Sequence, residues 1–452
     1  MNSLKVANAQ GFWGDDNDAP ARLVAQAQVD VLTLDYLAEV SMSILAKQKS
    51  RDPSLGYARD FLDVLKSLVP FLKAGGKLVT NAGGLNPRAC ADAATKLLTD
   101  AGLTGLKFGI VTGDDVLPEM KRECESNPQT KRFSHIESNA PIAGVFPKLV
   151  TANAYIGAAP IVECLKQGAQ IVVGGRIADP SLVVAPAMAH FGWSSTDWDN
   201  IAGATIAGHL IECGTQSVGG ISSHWMEIDH HNIGFPIVEV ASDGSCIVTK
   251  PAGTGGEVTE RTVKEQLLYE IGDPGNYLSP DATVSFLTLN VKQEDNNRVR
   301  VSGATGSPMT RFFKVSATYA AGFRAAGMLT IVGRDAVKKA RAAADVVLKK
   351  LQRDGMMPAR HLVECLGSGD AACGLGGIRE DLFETVLRIS VADDRKPVVD
   401  YFSKQMIPLV TSGPQGTTGY AEGRPNVREA FAYWPCLIER ECVNLSAEVI
   451  TV

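Results

Sequence analysis

The 452-residue sequence predicts an α/β protein, with an N-terminal parallel, doubly wound sheet followed by an α+β region that carries an antiparallel sheet. Two observations carry that reading. Over the first 220 residues, short β-branched apolar runs end abruptly on polar side chains and are separated by stretches of helical period. After residue 220 the hydrophobic period falls to two, and a hairpin and alternating strands take over.

In chain order, residues 4–10 form a first strand, and Leu23, Val24 and Ala27 mark the apolar face of the helix after it. The same strand, polar loop and helix recur. Residues 31–34 end at Asp35, 77–80 at Asn81, 107–111 at Thr112-Gly113-Asp114-Asp115, and 170–174 at Arg176. Helical connections between strands imply crossovers, hence parallel pairing. Asn86-Pro87 is a helix start, with Asn as cap and Pro in the first turn, and the preceding Gly83-Gly84 leaves room for an anion. Residues 121–146 are polar and irregular, and read as an excursion over the site or a subunit contact.

Farther on, 235–240 and 245–250 flank Asp243-Gly244 as a hairpin, and Thr259 opens a helix through residue 270. Alternation over 283–332 gives the antiparallel sheet, covered by a helix at 334–351. A glycine-rich stretch at 356–377, a strand at 384–391, a helix at 398–409 and a Gly/Thr-rich loop at 411–425 complete the chain. The expected division is 1–220 as the parallel domain bearing the site, 221–355 as the antiparallel domain, and 356–452 as an α/β extension.

Composition narrows the partners. A net charge of -6 and 21% charged residues provide no basic surface for nucleic acid or anionic lipid. No apolar run approaches the length of a membrane span and no leader pattern opens the chain, so a cytoplasmic location is expected. The nine cysteines lack any C-x-x-C pair and an odd count argues against a disulfide framework; Cys213 and Cys373, each before Gly, are the candidates for thiolate chemistry. A homo-oligomer is expected for an enzyme of this size.

Candidate site residues cluster at the ends of the buried strands, where open α/β sheets bind ligands. The run Gln170 to Gly174 breaks at Gly175-Arg176-Ile177-Ala178-Asp179-Pro180. Arg176 and Asp179 either face a substrate or close their loop as an ion pair. Asp114 and Asp115 share a turn, where one could hold a proton for acid or base work; the competing reading makes Asp115 a helix cap. Asp35 and Asn81 should point into the same crevice, and Asn81 and Asn153 are taken as substrate-binding. Glu212, flanked by apolar residues, is a candidate for a shifted pKa. Lys250 with Gly253, Gly255 and Gly256 outlines an anion-binding loop, or a plain turn. His224, Asp229, His230 and His231 match no metal spacing, and neither G-x-G-x-x-G nor G-x-x-x-x-G-K-[ST] occurs, so no metal, NAD or ATP is expected.

The ordered motifs V-T-N-A-G-G-L-N-P-R-A, V-T-G-D-D-V, N-A-Y-I-G-A-A-P-I-V-E, G-G-R-I-A-D-P-S-L, A-G-H-L-I-E-C-G and T-K-P-A-G-T-G-G-x-V-T-x-x-T-V-K-E-Q-L-L-Y-E-I resemble the acyclic terpene utilisation family, from about residue 4 onward. Ile221 to Met226 and Ala82 depart from the family pattern, which points to a different substrate. The resemblance implies acyl-CoA catabolism of branched acyclic terpenoids. The expected function is therefore a carbon-carbon lyase or hydratase acting on a branched hydroxyacyl-CoA or enoyl-CoA. Coenzyme A enters only as part of this small-molecule substrate and no separate cofactor is expected. Asp115 or Asp179 would be the base, Arg176 the cation, and Lys250 with its glycines the grip on a carboxylate or phosphate. The alternatives are a non-catalytic acyl-CoA-binding or carboxylase-associated subunit and, lacking G-x-S-x-G, a less favoured thioester hydrolase.

Overall fold

The apolar runs become strands β1 (Leu4–Asn8), β2 (Val31–Leu34), β3 (Lys77–Thr80) and β4 (Lys107–Thr112), with β5 (Leu149–Ala154) and β6 (Ile171–Val173) following. They come from a computed structural model that describes residues 3–372, 374–419 and 423–452. β1, β2, β3, β6 and β4 lie side by side in that order, all parallel. Parallel pairing follows from the helices between them, since a strand can return in the same direction only by crossing over a face. β6, made last, slots between β3 and β4.

The parallel set is extended at both edges by antiparallel strands. β7 (Ile237–Val240) pairs with β1 and turns through Asp243-Gly244 into β8 (Cys246–Thr249), the hairpin expected from that dipeptide. Beyond the short strands β9 (Tyr277–Leu278) and β10 (Thr283–Ser285), β11 (Asn290–Asp295) and β12 (Arg298–Ser302) continue outward from β8. β13 (Thr305–Ser307) joins β10 and β9 in a small sheet. At the opposite edge β19 (Ser446–Thr451) runs antiparallel to β4, so the finished sheet has ten strands. Four strands from the stretch read as a separate antiparallel domain thus belong to the first sheet.

One face of this sheet packs Leu32, Leu34, Leu78 and Phe108 against helices Ala19–Gln26, Asp60–Ser67 and Pro87–Asp100 through Leu23, Phe61, Leu65, Ala94 and Leu98. The Asn86 side chain caps the last of these at Ala89 N–H, as its sequence promises. The other face lies under helices Ser181–Phe191 and Trp198–Glu212, which are buried almost all round and accordingly lack a polar stripe. Helix Trp198–Glu212 approaches the β7–β8 turn at Gly203 and the start of helix Ser181–Phe191 at Gly208: a Cβ on Gly203 would lie 2.2 Å from the Gly244 carbonyl oxygen, and one on Gly208 2.6 Å from Pro180 backbone.

The chain divides into two compact units, 1–318 with 433–452, and 319–432. This division is discontinuous, whereas the local pattern suggested three consecutive stretches. β14 (Phe312–Val332), whose residues from 319 onward belong to the second unit, β15 (Arg360–Leu366), β16 (Glu384–Asp393) and β17 (Thr417–Thr418) are ordered β15-β16-β14-β17, all antiparallel. Helices Ala336–Arg353 and Lys396–Ser403 cover one face, burying Leu329, Ile331, Leu387, Ile389 and Val391 with Val347 and Phe402. β18 (Arg428–Glu439) is the remaining strand. Among the described residues no helix is long and apolar enough to cross a membrane.

Gly203→Ala should lower stability by about 1–3 kcal/mol, because the added methyl meets backbone that cannot step aside, outweighing alanine's better helix propensity. A drop in thermal midpoint with unchanged circular dichroism is the expected outcome. An unchanged midpoint would show that the Gly244 turn yields freely.

Candidate functional site

Because neighbouring strands are parallel, their carboxyl ends share one edge, and each delivers a polar residue there. β2 delivers Asp35, β3 Asn81, β4 Asp114 and β6, after two glycines, Arg176; all four are buried. β5 brings Asn153 alongside through an isolated antiparallel bridge between Asn153 and Asp115.

Asp114 organises the β4 and β6 ends. Its Oδ2 accepts from Asn153 Nδ2 at 2.8 Å and from the Arg176 backbone N–H at 2.9 Å. Gly175 makes this approach possible, since a Cβ there would sit 2.3 Å from Asp114 Oδ1. Burial nevertheless raises the Asp114 pKa to about 6, against the opposing pull of those two donors.

Arg176 is held on several sides. Nη1 donates to the Leu37 carbonyl and to Asp179 Oδ1, both at 3.0 Å, and the guanidinium lies 4.2 Å from the Tyr155 ring centroid. The Tyr155 hydroxyl in turn donates to Glu39 Oε1 at 3.1 Å. Burial works against the charge on Arg176, but Asp179, Tyr155 and Asp35 hold its proton more firmly than usual. Arg176 Nε is buried without a hydrogen-bond partner among the described residues. Asp179 differs from it in access: its side chain is 33% exposed, against 2% for Arg176.

Asp35 stands beside this pair. Oδ1 accepts from Asn81 Nδ2 at 2.6 Å and from Leu37 N–H at 3.1 Å, while Asn81 Oδ1 receives the Tyr36 N–H at 2.8 Å. Burial and the nearby Asp179 charge hold the Asp35 carboxyl well above the usual range, with Arg176 opposing. Crevice acids with opposed environments are the arrangement from which acid and base roles are drawn.

The end of helix Trp198–Glu212 adds a second titrating group. Asn8, at the end of β1, donates to the Ile211 and Glu212 carbonyls, and Gly208 packs on Pro180, next to Asp179. Buried His209 places Nε2 2.8 Å from the Gln266 carbonyl and Nδ1 2.9 Å from Glu212 Oε1. A carbonyl only accepts, so Nε2 carries hydrogen; the Nδ1 to Oε1 contact then requires one further proton, shared between imidazole and carboxylate. Burial opposes charge on His209, yet Glu212 and the Gln266 carbonyl raise its pKa; burial raises that of Glu212. Glu212 Oε2 and Gln266 Oε1 are buried without partners among the described residues. Tyr277 and Phe286 close the apolar side, with ring centroids 6.4 and 6.0 Å from His209.

Other expected residues lie apart from this constellation. Asp115 is exposed and its Oδ1 accepts the Leu117 N–H at 3.0 Å; among the described residues no hydrogen bond or ion pair ties it to Arg176. Lys250 donates to Thr254 O at 2.6 Å and Thr254 Oγ1 at 3.2 Å, within its own loop. Gly255 N–H donates to Asn232 O and Gly256 N–H to Asp229 O, so both amides are used internally, while Gly253 adopts a positive φ of 75°. Burial and Glu212 push the Cys213 thiol far up, leaving little thiolate; Cys373 lies outside the described residues. His230 stacks on Trp225 and pairs with its carbonyl, and His224 contacts Ser223 Oγ. Sequence reasoning missed Tyr155, Gln266 and Tyr277, whose roles depend on long-range packing. His209 carried one usable signal: it falls three residues before Glu212, on one face of a helix.

With this geometry in place, comparison with known families is informative. A family model described as "Acyclic terpene utilisation family protein AtuA" matches residues 4–449. The chain belongs to the acyclic terpene utilisation family. Neither the curated proteins nor the solved structures supply a match. The AtuA match reaches into both compact units and takes in Asp35, Asn81, Asp114 and Arg176, and it associates the chain with acyclic terpene utilisation.

Asp114 provides a test of the dry rim. Its folded pKa of about 6 lies above the ordinary 3.8, so the fold prefers the protonated form. The stability it lends is complete below the ordinary value and is lost as pH rises through about 6, on the order of 3 kcal/mol. Asp114→Asn, neutral throughout, should flatten this part of a urea-denaturation profile across that window. Parallel profiles for the two proteins would mean that Asp114 does not change charge there.

Proposed function

We propose that this AtuA-family chain is an enzyme that moves protons on a branched hydroxyacyl or enoyl thioester of coenzyme A, as a carbon-carbon lyase or hydratase. The observation that carries the reading is the pairing of accessible Asp179 with buried Arg176, next to an Asp35 whose carboxyl burial holds well above the usual range. Asp179 is the base, taking a proton from a substrate hydroxyl or from water. Arg176 fixes the direction of that carboxylate through Nη1 and places positive charge beside the developing negative charge. Asp35 is the acid: Asn81 and Leu37 occupy its Oδ1, leaving the other oxygen to carry and return the proton. The shared proton of His209 and Glu212 is held on the helix whose Gly208 packs against Pro180, beside the Asp179 loop. In this reading Lys250 and residues 253–256 shape the neighbouring loop, while Asn153 sets Asp114.

A panel of branched hydroxyacyl-CoA and enoyl-CoA thioesters, incubated with the protein and followed by mass spectrometry, should show conversion of at least one member. Asp179→Asn should lower that turnover by about 10²- to 10⁴-fold in a protein whose circular dichroism is unchanged, with some loss of thermal midpoint because buried Arg176 loses its counter-charge. No mass change with a raised midpoint in the presence of thioester would instead favour a non-catalytic acyl-CoA-binding subunit. Full activity in the Asp179 variant would remove the assigned base.

A further inference from the structure

The second unit has a sheet face that its helices do not cover. Residues 324–332 of β14 and those of β16 alternate: Ala325, Leu329, Ile331, Leu387 and Ile389 face the helical core. The even-numbered positions between them form the floor of an open groove of about 1170 Å³. Its apolar part includes Met328 and Leu362, 45% and 54% exposed, with Phe431.

Among the described residues the charged part is one-signed. Arg324 and Arg360 both pair in register with Ala392, one from each side of β16. Their Cα atoms are therefore two strand spacings apart, about 10 Å, with only a methyl group between them. Arginine side chains are long enough to reach one small anion from both positions at that separation. Arg424, Arg428 and His361 complete the charged lining, which among the described residues includes no Asp or Glu. Among the described residues Arg324, Arg360 and Arg428 have no carboxylate in ion-pair range. Arg424 is held by Ser403 Oγ at 2.9 Å and the Asp400 carbonyl at 3.4 Å.

We infer that this groove binds an organic diphosphate, its phosphoryl groups gripped by Arg324 and Arg360 and its less polar body laid along Met328 and Leu362. Guanidinium forks match phosphoryl oxygens in pairs, and several converging forks exceed what a single carboxylate could neutralise. A second copy of the chain fits the charge poorly, because a two-fold contact through this face would set one arginine cluster against the other. This site is a separate claim from the chemistry proposed for the strand-end crevice and does not depend on it.

Calorimetric titration of the full chain with inorganic pyrophosphate and with ADP tests the assignment, with sulfate and AMP as the one-group comparisons. The expected result is that pyrophosphate and ADP bind more tightly than sulfate and AMP, with affinity falling as salt rises. The double variant Arg324→Ala, Arg360→Ala should weaken pyrophosphate binding about tenfold or more with no loss of thermal midpoint, since neither guanidinium supports the fold. Equal pyrophosphate affinity in the variant overturns the assignment, as does the absence of binding at millimolar concentration. A change of oligomeric state in Leu362→Glu, with anion binding untouched, would assign the face to a second copy instead.

Discussion

The site depends on one buried cation. Removing a guanidinium from water costs several kcal/mol unless its hydrogens find partners, and breaking such a pair typically costs about 3–5 kcal/mol. Arg176 meets the cost with groups drawn from distant parts of the chain: the Leu37 carbonyl beyond β2, the Tyr155 ring beyond β5, and Asp179 in its own loop. The loop itself is zipped to its neighbour, Ile156 N–H to Arg176 O and Ala178 N–H to Ile156 O. The cation and the convergence of strand ends therefore require each other.

The same dryness that makes Arg176 expensive raises the pKa of the acids around it. Asp35, Asp114 and the His209 and Glu212 pair are all raised, and in each acid burial is the leading cause. Asp179 alone in this group reaches solvent to a substantial degree. A rim with one accessible carboxylate in front of several carboxyls whose pKa burial raises supports proton-transfer chemistry more directly than nucleophilic chemistry. The raised Cys213 thiol points the same way.

Much of this was legible in the sequence because it rests on local signals. Buried parallel strands read as apolar runs, and the residues that interrupted them, Asp35, Asn81, Asp114 and Arg176, are the ones found at the rim. The Asp243-Gly244 hairpin and the Asn86 cap are local in the same sense. What stayed hidden is set by partners far away. Nothing in Ser446–Thr451 announces that it will pair with β4, and nothing in 235–302 shows that its strands extend the first sheet. Asp115 illustrates the limit at a single residue: its turn was placed correctly, but only coordinates show that Asp114 turns inward while Asp115 bonds to Leu117.

The discontinuity of the first unit has a consequence for biosynthesis. Residues 1–318 emerge from the ribosome long before 433–452, and the whole second unit is made in the interval. During that time the β4 edge that β19 will later occupy is bare, a row of amides and carbonyls open to pairing with other chains. Nascent chains of this protein thus have a defined window of vulnerability, and a chaperone that shields one exposed edge would act for as long as the ribosome takes to translate the intervening 114 residues.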